Sequence, residues 1–286
     1  MAAILAVVMI WSGWIIVSSW GVHQSLTSWD ITFFRFTTAA FVTAPLLYRQ
    51  RKNLRRVFNP KVALCSLGCG FPYTVTSFLG LAHSPAQNAG IIVNGLLPLL
   101  AAAIAYFWVH QRVSRAQLLG IVLIGLANAL ILFEGGGANL LGSFYLFCAA
   151  LFLAGYTVAL GVWKIPTDII MVAVPWTNAL LFFPIWLLAP KGIYTATMNE
   201  ILLQVLFQGV LVSVVALFLI AYAISAIGSV TSATFMGIVP VITAILAFTI
   251  LHEPLSATTV FSIIICSAGI IAYNAANSQK SHNISR

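Results

Sequence analysis

Charge is what this chain does without. Only 6% of its 286 residues are Asp, Glu, Lys or Arg, and only five are acidic. A water-facing surface needs several times that share, so a soluble globular fold is excluded. None of the five acids lies in the middle of an apolar run. Asp30, Glu134, Asp168, Glu200 and Glu253 all fall at run ends or in loops. This weighs against proton coupling through a buried carboxylate. The chain also lacks G-x-x-x-x-G-K-[ST], H-E-x-x-H and G-x-S-x-G. A nucleotide cradle, a zinc-protease helix and a hydrolase elbow are therefore not expected, and an ATP-driven pump would need a separate subunit. Cysteine is scarce: Cys65, Cys69, Cys148 and Cys266 all sit within apolar runs. Cys65 and Cys69 share a helix face, but no His or acid lies near in sequence to complete a metal site, so these thiols read as small hydrophobes. No enzyme activity, catalytic residue, metal or cofactor is expected.

What the chain has in excess is apolar length. It is 61% hydrophobic, in runs of about 20 residues separated by short polar breaks. The fold class is all-α: a polytopic membrane protein of ten transmembrane helices. The runs do not alternate as barrel strands do. The spans fall at about 2–20, 30–48, 60–82, 86–108, 115–133, 140–160, 168–189, 201–224, 228–250 and 256–275. The first has no Lys or Arg before it and no evident cleavage site after it, so it reads as a retained helix rather than a signal peptide.

The net charge of +8 does not imply nucleic acid, because most of it sits in one loop. Arg49, Arg51, Lys52, Arg55, Arg56 and Lys61 follow span two. With ten spans, Arg112, Arg115, Lys164, Lys280 and Arg286 share their side, and Lys191 alone lies opposite. This asymmetry places both termini in the cytoplasm. Seven tryptophans, Trp20, Trp29, Trp108 and Trp186 among them, mostly sit near span ends as interface anchors. Trp11, Trp14, Tyr156 and Trp176 lie deeper, suited either to core packing or to stacking on a ligand.

The sequence repeats itself. Residues 87–119 align without a gap on 229–261, an offset of 142. Gly95 meets Gly237, Pro98 meets Pro240, His110 meets His252 and Ser114 meets Ser256. Five spans separate the copies, and an odd number reverses their direction. The expected architecture is two five-helix inverted repeats, 1–135 and 136–277, with a polar tail at 278–286. That design serves secondary transporters, whose halves exchange conformations about a central site.

The proline pair lies well inside its spans. Pro98 and Pro240 each remove a backbone hydrogen bond, leaving the carbonyls of Asn94 and Met236 in need of partners. They read as mid-membrane hinges or as packing kinks. Neutral polar side chains gather on neighbouring faces. Span three offers Tyr73, Thr76 and His83. Span four offers Gln87, Asn88 and Asn94, and Trp176 lies on span seven. Gln204 and Gln208 lie four apart on span eight, and Ser232 lies on span nine. Each is either a helix-to-helix bond or a substrate contact, and together they suggest a polar, uncharged cavity. His83 could sense pH or simply mark an interface. Arg35, the one basic residue inside a span, could snorkel outward, pair with Asp30, or face an anionic group. Ser114 and Gln117 read as a capping box.

These residues resemble the drug/metabolite transporter superfamily in its EamA-type branch. Arg35-Phe36 with Ala39 and Pro45 is similar to the family's Arg-Phe-x-x-Ala…Pro pattern. Pro98 and Pro240 stand where it places its mid-helix proline. His252-Glu253-Pro254-Leu255-Ser256 resembles its Gly-Glu-x-Leu-Ser/Thr turn. The first half departs, with Gln111 where Glu is usual, and span seven lacks an arginine. The resemblance implies a carrier of the bacterial inner membrane, working by alternating access on amino acids or related metabolites and often exporting them. Its cavity would draw on spans three, four, eight and nine. The implied partners are a small-molecule substrate and the lipid bilayer, with the chain a monomer or homodimer. Uptake by the same fold, or a non-transporting sensor or scaffold subunit, are the alternatives.

Overall fold

The computed structural model describes residues 1–111, 113–134 and 140–284, which contain helices and no strand. Arg112, Arg286 and the expected repeat boundary at 135–136 lie outside the described residues. Eight helices are long and apolar enough to cross a bilayer. Two shorter apolar stretches, Gln117–Phe133 and Thr234–Ile250, occupy the remaining expected spans. In order these are α1 (Ala2–Val22), α2 (Ser28–Arg49), α3 (Pro60–Gly68), α4 (Phe71–His83), α5 (Ala86–Val109) and α6 (Arg115–Glu134). There follow α7 (Leu140–Val162), α8 (Thr167–Leu188), α9 (Met198–Ile227), α10 (Ser229–Met236), α11 (Val239–Ile250) and α12 (Ala257–Ile284). Spans three and nine are each split, into α3 with α4 and α10 with α11. The last helix takes in most of the expected tail.

Local chemistry starts and stops these helices. Thr27 and Asp30 form a reciprocal capping box on α2, and the Asn59 side chain caps α3, which begins with Pro60. Ser114 and Gln117 form the box read from the sequence: the Ser114 N–H donates to Gln117 Oε1 at 2.8 Å, and the Gln117 N–H donates to Ser114 Oγ at 3.2 Å. The repeat partner does likewise, the Thr259 N–H donating to Ser256 Oγ at 3.0 Å. Helices α5 and α11 are followed by His110 and His252, both in the left-handed region at φ 54° and 55°. Two non-glycine residues related by the 142-residue offset thus carry the same uncommon backbone state.

The outer face is oily. Phe107 is 79% exposed, Phe133 85% and Leu188 91%. Lipid solvates such side chains as well as a protein core would, so association rests on close contact and polar bonds. The tightest seam joins α6 to α12. A Cβ on Gly120 would come within 2.7 Å of the Gly269 carbonyl oxygen, and one on Gly269 within 2.9 Å of the Gly120 oxygen. Elsewhere α2 packs on α8 and α9, α3 on α7 and α8, α4 on α7, α1 on α9 and α11, and α5 on α7 and α11. Number the spans one to ten and move each by five. The most extensive pairings are kept: pair two–eight becomes seven–three, three–six becomes eight–one, and four–six becomes nine–one, whereas the smaller contacts one–three and two–three have no comparable counterpart among the described residues. Pairs two–seven, four–nine and five–ten map onto themselves.

The same positions depart from regular α geometry. Span three breaks between Gly68 and Phe71, and its counterpart in span eight is a π-helical stretch, Val205–Val215. Span four carries a π turn at Gly90–Asn94 ahead of Pro98, while span nine breaks after Met236. Pro98 therefore lies inside a continuous helix. Pro240 stands in the first turn of α11, where its missing N–H costs nothing.

Candidate functional site

The interior of the bundle centres on Trp14 of α1. Its ring stacks on Tyr73 at a centroid distance of 5.8 Å and tilts against Phe78 at 6.3 Å. Its indole Nε1 donates to Gln208 Oε1 at 2.8 Å. Gln208 Nε2 donates to Ser18 Oγ at 2.9 Å and to Gln204 Oε1 at 3.2 Å, and Gln204 Nε2 donates to the Val17 carbonyl at 3.0 Å. Gln208 is 0% exposed. A chain of satisfied amides in an apolar interior fixes one rotamer for each member, so the face of Trp14 is held still.

Against that face lies Arg35. Its Cζ is 5.5 Å from the Trp14 ring centroid and 5.7 Å from that of Phe36. Nε and Nη1 are buried with no hydrogen-bond partner. The guanidinium neither snorkels nor pairs with Asp30. That carboxylate, 0% exposed, is taken up at the bundle end: Oδ1 accepts from Trp186 Nε1 at 2.9 Å, and Oδ2 from the Gly192 N–H at 2.7 Å and from Thr27.

Below Tyr73 the break in span three is pinned from α8. Asn178 Oδ1 accepts the Phe71 N–H at 2.8 Å, and its Nδ2 donates to the Ser66 carbonyl at 3.1 Å and the Val174 carbonyl at 2.8 Å. A side chain on Gly70 would collide with that amide, so glycine is required there. One asparagine thus serves groups on both sides of the gap, and α4 starts its dipole at membrane depth.

Of the residues singled out from the sequence, Tyr73 and Gln208 meet, through Trp14. The rest disperse. Thr76 Oγ1 donates to the Pro72 carbonyl at 2.7 Å and the Tyr73 carbonyl at 3.0 Å of its own helix, and Ser232 Oγ donates to the Gly228 carbonyl at 2.8 Å. His83 is exposed, its Nδ1 2.8 Å from the Leu79 carbonyl. Asn88 Nδ2 donates to Ser84 Oγ at 3.2 Å. Asn94 closes the π turn, half-buried. Trp176 packs with the cluster of Val172 and Ala173, its Nε1 buried without a partner. Gln87 belongs to an end closure: Glu253 Oε1 accepts the Ala86 N–H at 2.8 Å, Oε2 the Gln87 N–H at 3.4 Å, and Gln87 Nε2 donates to the Pro254 carbonyl at 3.1 Å. A cavity of about 180 Å³ lies at the other end, among Ala101, Ala105, Gln111, Gln117, Thr157 and Tyr273. Arg35 and Trp14 complete the central group. The signal for Arg35 was its standing as the lone cation inside a span.

Comparison with known proteins places this arrangement. The model of the EamA-like transporter family matches residues 1–133 and 140–275. The uncharacterized transporter YcxC of Bacillus subtilis (strain 168) is 27% identical over 269 residues, covering 88% of this chain and 85% of its own. One solved crystal structure superposes with a TM-score of 0.67 over 96% of this chain and 97% of that one, at 18% identity, a likeness of fold.

Proposed function

The chain belongs to the EamA-like transporter family, and from that premise we propose that it is a secondary transporter of small metabolites, amino acids or related compounds. It works by alternating access across the bacterial inner membrane, in the direction of export, with both termini cytoplasmic. One observation carries the reading. The most extensive helix pairings survive exchange of the two halves, yet the two ends of the bundle are closed unequally. Pairings that map onto themselves support inverted repeats, and unequal ends are what a carrier shows in either of its two extreme states. The end bearing Glu253 is tied shut across spans four and nine. The end bearing the basic loops, cytoplasmic by charge, is the looser one. The family model matching in two stretches of similar length supports the division into halves.

Purified protein in liposomes, preloaded with an unlabelled metabolite panel and given labelled solute outside, should show saturable exchange. No exchange with any member under any gradient would remove the carrier reading. Separate Pro98→Ala and Pro240→Ala substitutions should each slow exchange if the proline pair serves as hinges. A sensor or scaffold would tolerate both.

A further inference from the structure

We propose that Arg35 is the substrate-recognition residue of the interior, and that the substrate class it selects is an organic anion, a carboxylate whose apolar or aromatic body lies against Trp14 and Tyr73. This deepens the transporter reading and rests on it.

The first ground is an uncompensated charge. Arg35 Nε and Nη1 are buried and unpartnered. A cation inside an apolar bundle is costly and persists where something pairs with it. No acid of this chain does so among the described residues. Asp30 is consumed by Trp186, Gly192 and Thr27. Asp168 accepts from Gln50, Glu200 from Thr197, and Glu253 from Ala86. The ring faces of Trp14 and Phe36 give the guanidinium a cation–π contact but no counter-charge.

The second ground is the start of α4. It is a helix of thirteen residues that begins inside the bundle, with Tyr73 in its first turn. Tyr73 stacks on Trp14 at 5.8 Å, and the Arg35 guanidinium lies 5.5 Å from the same ring. The positive end of that helix and the guanidinium therefore both lie against Trp14. Half-helix starts at membrane depth serve anionic groups in this way.

The third ground is the lack of a second charge. At the 142-residue offset Arg35 corresponds to Thr177, so the charge is not duplicated. The site holds one positive group and no negative one. A guanidinium donates to both oxygens of a carboxylate at once, and the edge of the immobilised Trp14–Tyr73 stack offers an apolar surface for the remainder of the solute. An ammonium group there would meet Arg35 with nothing to neutralise it. Affinity should therefore fall from organic anion to zwitterion to amine on a common body.

The test uses three probes sharing one ring: phenylacetate, phenylalanine and phenethylamine. Saturable binding to the purified full-length protein is measured at neutral pH, together with thermal melting. Phenylacetate should bind tightest, phenylalanine more weakly, and phenethylamine not measurably. R35Q should weaken phenylacetate binding roughly tenfold or more while melting no lower than wild type, since it removes an unpaired buried charge. R35K, which keeps the charge but loses the fork, should fall between them and guards against a misfolded R35Q. Phenethylamine binding as well as phenylacetate, R35Q and R35K both binding it as wild type does, or no saturable phenylacetate binding at all would each overturn the proposal. A wild type that exchanges solutes in liposomes yet fails these probes leaves a carrier with a different recognition site. One that neither exchanges nor binds loses both readings.

Discussion

The two ends of the bundle are built from corresponding parts and are not in the same state. At one end Asp30, in the first turn of α2, is fully buried and gathers the Trp186 indole, the Gly192 N–H and Thr27. At the basic end Asp168, in the first turn of α8, is exposed and accepts one bond, from Gln50 Nε2 at 2.8 Å. Glu253 caps the start of α5 across the halves, while Gln111, its counterpart at the 142-residue offset, is exposed. The N-terminal part of α5 packs on α11, whereas the corresponding C-terminal part of α5 makes no comparable contact with α10 among the described residues. Matching parts with unmatched bonding are what the proposed alternating access requires: closing one end would use interactions that the other end can form but has not.

Breaking the sealed end at its most buried group should have the largest effect. Asp30→Ala strands the Trp186 and Gly192 donors in a desolvated corner, at about 1–3 kcal/mol for each lost partner. A total loss on the order of 3 kcal/mol is expected in thermal or denaturant unfolding in detergent. Asp168→Ala should stay within about 0.5 kcal/mol, as exposed substitutions do. Equal losses from the two would show that the ends are closed alike, and the comparison would collapse.

Gly70→Ala tests the frame on which the proposed exchange between the two ends would turn. Its methyl would displace the Asn178 amide, freeing the Phe71 N–H inside the bundle. About 2 kcal/mol of stability should go with it, and exchange in liposomes should go with the fixed start of α4. Asn178→Ala should reproduce the loss. A Gly70→Ala protein that melts and exchanges as wild type would show that the break does not depend on this contact.

Much of this frame was legible beforehand. Long apolar runs name their own helices, and Ser114 with Gln117 announced its cap, because both signals are local. The fate of polar residues was not local. Gln87, Asn94 and Pro98 share a helix face, but the Glu253 turn that engages Gln87 comes from 166 residues away. Nor does span two indicate whether Arg35 faces lipid, water or Trp14, since α1 and α4 decide that. Pro240 looked like a mid-helix proline because its span is continuous in hydropathy, and the break that relieves it leaves no polar gap to read.

Glu253→Ala sharpens the comparison at intermediate size. Losing an acceptor for two backbone N–H groups at a helix start costs about 1 kcal/mol, roughly a fivefold shift toward opening of that end. Thr243→Cys, 0% exposed on α11 and facing Gly90 of α5, reports it in a background without the four native cysteines. Maleimide added from the Glu253 side should react several-fold faster in Glu253→Ala than in the parent. Unchanged labelling would mean that the cap does not hold the end closed.

The smallest effect is expected from Gln111→Glu, which gives the loose end the acid that the sealed end already has. Gly228 and Ser229 stand to residue 111 as Ala86 and Gln87 stand to Glu253; the Gly228 N–H is taken by the Ile224 carbonyl at 3.0 Å, and the Ser229 N–H begins α10 as that of Gln87 lies in the first turn of α5. In the state described, Gln111 is exposed and Gly228 has open space around its Cα at φ +83°, so a carboxylate there gains nothing at once. It gains only when the basic end closes, by a cap term of about 1 kcal/mol at most, realised in the minor population. A new cysteine at Ala105, on the wall of the basic-end cavity, should therefore label from the basic side up to a few-fold more slowly in Gln111→Glu, with melting unchanged. Faster labelling would reverse the sign and imply that the turn after α5 holds the basic end open, so that the two turns are not equivalent parts.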